Sequence, residues 1–180
     1  MRILGIDPGS HVTGWGLVEK GGGGKLIHIS SGTIALDEGM ELSGRLLLIS
    51  EGLSSVIRDL KPDAVSVESV FFARNVRSAI TLGHARGVAL LAAASSGLQV
   101  FEYAPRAIKQ AVTGYGNAEK EQVNQMIKAL LKITEPVKPD AADALAAAIC
   151  HINHFHPGLH LHEQAVLKRK RASGAAPIKS

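Results

Sequence analysis

Four acidic residues, Asp7, Glu68, Asp140 and Asp143, stand where acids are costly. Asp7 closes the apolar run Ile3-Leu4-Gly5-Ile6, and Glu68 closes Ala64-Val65-Ser66-Val67. Strand alternation puts Asp7 on the face of Ile3 and Gly5. Asp140 and Asp143 lie three apart at the head of an almost wholly apolar segment, so a helix there projects both carboxylates from one face of its first turns. That face continues as Ala and Leu and is expected to meet a sheet, burying Asp143. Singly, two of the acids have plainer readings: Asp7 as a turn former before Pro8-Gly9, Asp140 as a helix cap. Together they place four negative charges in one partly buried site, which is unstable unless protons or cations bind. Oxygen-only ligation selects hard ions, Mg²⁺ or Mn²⁺ over Zn²⁺. Two such ions could stabilise the attacking and leaving oxygens of an in-line phosphodiester displacement, so the implied substrate is a nucleic-acid backbone.

Basic and aromatic residues lie near these acids in sequence. Arg74 and Arg77 follow Glu68, and Lys109 and Lys120 flank Gly114-Tyr115-Gly116-Asn117. Any one of them is ordinary as a solvated surface charge. Phe71-Phe72, directly after Glu68 in a strand-to-helix loop, is less ordinary in a chain that is only 4% aromatic. Such rings either plug a core or stack on and wedge between bases.

The elements that must position these residues can be read from periodicity. Ile3 to Ile6, Gly14 to Val18 and Leu26 to Ile34 predict three successive antiparallel strands, with Gly21 to Gly24 as a loose hairpin turn. Leu42, Leu46, Ile49, Leu53, Val56, Ile57 and Leu60 recur at spacings of three and four, the stripe of a half-buried helix. A short strand, Ala64 to Glu68, follows. Asn75 to Ala94 reads as a helix rich in Ala and Gly, with Gly83 and Gly87 on one face that permits close helix contact. Leu98 to Tyr103 predicts a fifth strand, and Val123, Met126, Ile127, Leu130 and Leu131 a helix capped by Asn117. Pro139 introduces a last helix, Asp140 to about Asn153. The order β-β-β-α-β-α-β-α-α describes an α/β domain, a mixed five-stranded sheet with helices on its faces.

Composition agrees with such a domain and narrows its setting. At 180 residues, 46% hydrophobic and 20% charged, the chain has the size and balance of one globular unit. The net charge of +4 is confined to residues 163–180, where Lys168, Arg169, Lys170, Arg171 and Lys179 face only Glu163; the first 162 residues balance. A body over residues 1–155 is therefore expected to be followed, over 156–180, by a His-rich stretch and a basic tail that is polar, DNA-contacting or disordered. The histidines His151, His154, His156, His160 and His162 repeat no familiar metal-site spacing. One cysteine, Cys150, makes no internal disulfide, and no segment is long and apolar enough to span a membrane, which together suggest a soluble cytoplasmic protein.

Over about residues 1–154 the chain closely resembles the bacterial RuvC Holliday-junction resolvases. The resemblance rests on Ile3-Leu4-Gly5-Ile6-Asp7-Pro8-Gly9-Ser10 with Thr13-Gly14-Trp15-Gly16; on Val67-Glu68-Ser69-Val70-Phe71; on Asn75 through Ser78 to Gly83 with Ala85-Arg86-Gly87; and on Asp140-Ala141-Ala142-Asp143-Ala144-Leu145-Ala146. It implies an RNase H-like fold and a homodimer that nicks two opposed strands of a four-way junction symmetrically, using Mg²⁺, and works with a branch-migration motor of the RuvA and RuvB type. By motif position, Asp7, Glu68, Asp140 and Asp143 would be the metal-binding catalytic acids. Phe71 would match the family's base-stacking aromatic, and Lys109 and Lys120 its basic residues near the scissile strand. The helix beginning near Asn75 would be the dimer contact.

Two other functions compete. Gly5-Ile6-Asp7-Pro8-Gly9-Ser10 also resembles the first phosphate loop of sugar and acetate kinases, but those enzymes need a second glycine-rich phosphate motif, and usually a second domain, for which 180 residues leave no room. A non-catalytic junction-binding protein would have had to keep all four acids by chance.

Overall fold

The computed structural model describes residues 1–37, 39–69 and 76–155. Its elements run β1 (Arg2–Asp7), β2 (Val12–Lys20), β3 (Leu26–Ala35), α1 (Leu42–Leu60), β4 (Ala64–Glu68), α2 (Val76–Ser95), β5 (Gln99–Tyr103), α3 (Pro105–Thr113), α4 (Lys120–Leu131) and α5 (Pro139–His154). The five strands form one sheet in the order β3-β2-β1-β4-β5. The β1–β2 and β2–β3 pairs are antiparallel, and β1–β4 and β4–β5 are parallel. The glycine run makes the β2–β3 hairpin through a short 3₁₀ turn in which Gly23 and Gly24 have φ of 66° and 80°, a region that suits glycine.

Alternation along the strands builds a core on each face. Leu4, Ile6, Val65 and Val67 face α1 and α2, while Ile3, Val18 and Ala64 face α3, α4 and α5. Helices thus cover both faces, as expected. The α5 helix lies nearly in backbone contact with the sheet. A Cβ on Gly5 would fall 1.8 Å from the Ala144 carbonyl oxygen, and one on Gly14 2.0 Å from that of Asp140. Glycine on the strands and alanine on the helix let α5 approach this closely. The buried Ser66 hydroxyl pins the contact by donating 2.7 Å to the Ala147 carbonyl.

Two details differ from the sequence reading. Pro105–Thr113 is a helix, α3, where none is expected; only Ile108 and Val112 are buried in its nine residues, too sparse a stripe to stand out. The α4 helix starts at Lys120, capped by Glu119 rather than Asn117. Glu119 accepts from the third residue's backbone N–H, and the Gln122 side chain accepts 2.9 Å from the Glu119 N–H, so a reciprocal box outcompetes the lone asparagine.

Candidate active site

Register explains why the acids converge. Ile6 pairs with Val67 across the parallel β1–β4 seam, so Asp7 and Glu68, one residue further on each strand, end level with each other. On the other side Asp7 pairs with Gly14, whose Cα abuts the Asp140 carbonyl. The close glycine contact therefore sets the start of α5, with Asp140 in its first turn and Asp143 in the next, beside the end of β1. Asp143 is not fully buried as expected: its side chain keeps 29% exposure, and Lys120 reaches it there.

The loop after Asp7 is tightly held. Thr13, fully buried, donates to the Gly9 carbonyl at 3.3 Å and accepts from the Gly9 N–H at 3.4 Å, while Arg45 donates to the Ser10 carbonyl at 3.2 Å. Gly9 has no space for a Cβ, which would meet the Val12 carbonyl oxygen at 2.0 Å.

Electrostatics mark the cluster as strained by like charge. Burial, and after it the charges of Asp143, Glu68 and Asp140, push the Asp7 carboxyl up to about 7. Glu68 is raised by burial and then by Asp143, against the pull of Lys109, Lys120 and Arg86. The Lys120 ammonium donates 2.8 Å to Asp143 Oδ2, and that hydrogen bond is the main reason its own pKa is raised. The four acids predicted from sequence thus act on one another, and Lys109 and Lys120 both act on them.

Arg86 is the residue that sequence reasoning missed. From the buried side of α2 it donates to the Glu68 main-chain carbonyl and, at 2.6 Å, to the Glu102 carboxylate, with 14% of its side chain exposed. It fixes the end of β4 that carries Glu68. The available signal was an arginine in the middle of a helix whose buried residues are all alanine. Arg77 is exposed on the first turn of α2. Phe71, Phe72 and Arg74 lie outside the described residues, as do His156, His160, His162 and the basic tail. His151 and His154 are core and rim residues instead: His151 is buried against Phe101, its Nδ1 2.8 Å from the Tyr103 hydroxyl.

The donor chemistry suits a hard divalent cation. The donors are carboxylate oxygens, and the raised Asp7 and Glu68 show that the cluster lacks positive charge. As arranged here, no three His, Cys, Asp or Glu side chains among the described residues stand close enough to share one ion. The fold brings the acids within electrostatic reach of one another, and Lys120 is bonded to Asp143.

The family model for crossover junction endodeoxyribonuclease RuvC matches residues 3–151. The chain belongs to the RuvC family. The RuvC protein of Trichlorobacter lovleyi is 51% identical over 173 residues, 96% of each chain. That of Geobacter sulfurreducens is 54% identical over 153 residues, covering 85% of this chain and 93% of its own. Among solved structures, Thermus thermophilus RuvC in complex with a Holliday junction substrate superposes with a TM-score of 0.79 at 35% identity, covering 84% of this chain and 92% of that one. RuvC membership makes the chain an endodeoxyribonuclease, an enzyme that hydrolyses phosphodiester bonds within DNA strands, and gives its sheet and helices the RNase H-like fold. RuvC nucleases depend on metal in general. No helix among the described residues is long and apolar enough to cross a membrane.

Proposed function

We propose that the chain resolves four-way DNA junctions in recombination and repair, a homodimer nicking two opposed strands with one acid cluster each. The observation that carries the reading is the gathering of Asp7, Glu68, Asp140 and Asp143 at the C-terminal ends of the central strands β1 and β4, with Asp7 forced up to about 7 by burial and its neighbours. The junction-bound Thermus thermophilus relative supports the choice of substrate.

Asp7, Glu68, Asp140 and Asp143 would hold the metal, two Mg²⁺ per site with Mn²⁺ able to substitute, and the bound ions would offset charge on the attacking and leaving oxygens of the phosphodiester. Asp7 gives up its proton to become a ligand. Lys120 and Lys109, already beside Asp143 and Glu68, are placed to neutralise non-bridging oxygens of the bound strand. Arg86 and the Ser66–Ala147 bond keep the end of β4 and the α5 helix in register, so only the acid side chains, and not their backbones, need move when the metal and DNA bind. Phe71, Phe72, Arg74 and Arg77 follow Glu68 closely in sequence and are assigned to the DNA strand.

The dimer is assigned to α2. Val76, Ile80 and Leu91 are 77%, 55% and 63% exposed on a face that also carries Gly83 and Gly87, and a Cβ at either glycine would meet nothing within 4 Å. A small-residue stripe flanked by apolar side chains lets two copies pack closely, and a two-fold axis through it fixes the separation of the two sites. Only DNA that presents two strands at that separation engages both sites. Residues 1–155 make up the nuclease unit. The basic tail adds phosphate affinity, and a RuvA and RuvB type motor is the working partner in a cytoplasmic setting.

A nicking assay tests this reading on a synthetic mobile four-way junction beside a linear duplex of the same sequence. Paired nicks on opposed junction strands are expected with Mg²⁺ and are expected to vanish with EDTA or with Asp7→Asn, which should still bind the junction. Equal cutting of the duplex, or continued cutting by Asp7→Asn, refutes it.

A further inference from the structure

The loop between α3 and α4 carries an aromatic residue to which the reading above gives no role. Tyr115 is 61% exposed, whereas Trp15, Phe101, Tyr103 and Phe155 are all at least partly buried. It is the one exposed aromatic among the described residues. An exposed tyrosine on a floppy tip would mean little, but this one is held. Thr113 Oγ1 lies 2.8 Å from the Lys109 carbonyl and 3.0 Å from the Tyr115 carbonyl, and it accepts from the Tyr115 N–H at 3.2 Å. One hydroxyl therefore fixes Tyr115 relative to the turn of helix that carries Lys109. On one side Gly114 ends α3 at φ 79°. On the other, Gly116 lies under the Arg106 side chain, whose Cγ a Cβ there would meet at 2.6 Å. The loop then enters α4 at Lys120, the lysine bonded to Asp143.

The ring thus stands in solvent on a loop that joins the helix bearing Arg106 and Lys109 to the helix begun by Lys120, which is bonded to Asp143. An exposed aromatic on an anchored loop whose flanking helices carry cations is the pairing that single-stranded nucleic acid recognises: the cations follow the backbone and the ring takes a base. We propose that Tyr115 contacts DNA directly, its ring stacking on a nucleobase next to the phosphodiester that is cut. This rests on the nuclease reading of the four acids. A strand whose phosphate was held by Lys109 and Lys120 would pass the loop that lies between them in the chain, where the ring could take its neighbouring base. Stacking there holds the strand open and sets the phosphate against the acids, so Tyr115 is a positioning residue.

The test uses the full chain and a four-way junction carrying 2-aminopurine beside the scissile phosphodiester. With Asp7→Asn protein, binding is expected to quench the probe, and Asp7→Asn combined with Tyr115→Ala is expected to bind with that quenching lost. With Asp7 intact, Tyr115→Ala is expected to slow cleavage at saturating enzyme between about fivefold and about a hundredfold, the worth of one base–aromatic stack. Tyr115→Phe should cut close to the wild-type rate, Tyr115→Leu should behave like Tyr115→Ala, and all three should melt with the wild type because the ring is exposed. Wild-type cleavage by Tyr115→Ala or Tyr115→Leu, or quenching that survives the loss of the ring, overturns the proposal. A Tyr115→Phe protein as slow as Tyr115→Ala overturns it too, since the hydroxyl rather than the ring would then matter. Failure of the nuclease reading itself looks different: the Asp7→Asn protein would still cut.

Discussion

Replacing Asp7 by Asn should make the protein more stable while destroying its activity, and the gain should depend on pH. The native Asp7 carboxyl sits at about 7 against an ordinary 3.8, so the folded chain holds this proton more tightly than the unfolded chain. Below pH 4 both states are protonated and the residue costs nothing. Between about 4 and 7 folding takes up a proton, so stability falls as pH rises; above about 7 both states are ionised and the full penalty is present. Linkage with these two values gives a penalty of about 1.7 kcal/mol at pH 5 and about 4.3 kcal/mol at pH 8, an increase of about 2.6 kcal/mol. Asp7 keeps part of its surface in solvent and its neighbours can relax, so about half of that increase, about 1.3 kcal/mol, is the realistic share. For a chain of this size it corresponds to roughly 3–5 °C. Thermal unfolding of wild type and Asp7→Asn in EDTA at pH 5 and pH 8 should therefore show the variant's advantage widening by that amount at the higher pH. An advantage that is absent at pH 8, or the same at both values, would refute the argument that Asp7 is a buried charge crowded by other acids.

Two further substitutions probe the supports of the site. Gly14→Ala drives a Cβ to within 2.0 Å of the Asp140 carbonyl oxygen, main chain against main chain, so α5 must lift; unfolding should occur at least about 2 kcal/mol earlier, with cleavage lost even at temperatures where the protein is folded. A variant that cuts normally would show that the contact does not set the acids. Arg86→Ala removes the donor to the Glu68 carbonyl and should lower stability by about 1–3 kcal/mol and slow cleavage, with Arg86→Lys intermediate. Unchanged single-turnover rates in Arg86→Ala would remove Arg86 from the account.

Much of the site was legible because its acids obey simple periodicities. Asp7 and Glu68 follow apolar strands by one residue each, and Asp140 and Asp143 share a helical face. What alternation could not give was their mutual placement, since it depends on the β1–β4 register and on three-dimensional contact between Gly14 and Asp140. Asp143 is less buried than expected for the same reason: helical spacing fixes a face but not how deeply each residue on it sits against the sheet. The α3 helix escaped notice because nine residues with two buried positions leave little pattern, and the Glu119 cap because a reciprocal pair outweighs the residue type that heads the usual preference. Arg86 was hidden for a different reason. It stands in the Ala85-Arg86-Gly87 motif but acts on a main-chain carbonyl, a partner that residue type alone does not name.

The position of α5 also bears on how the enzyme comes into being. The helix spans the sheet, from Asp140 beside β2 to His151, whose ring meets the Tyr103 hydroxyl on β5, and Tyr103 is the register partner of Glu68. Both walls of the acid cluster therefore lean on the last helix. A chain still emerging from the ribosome carries Asp7 and Glu68 long before it carries Asp140 and Asp143. It has half the charges and none of the buttress, so the cluster of four acids is incomplete until residues 139–154 follow. Among the described elements, the one that completes the acid cluster is thus the last to be made.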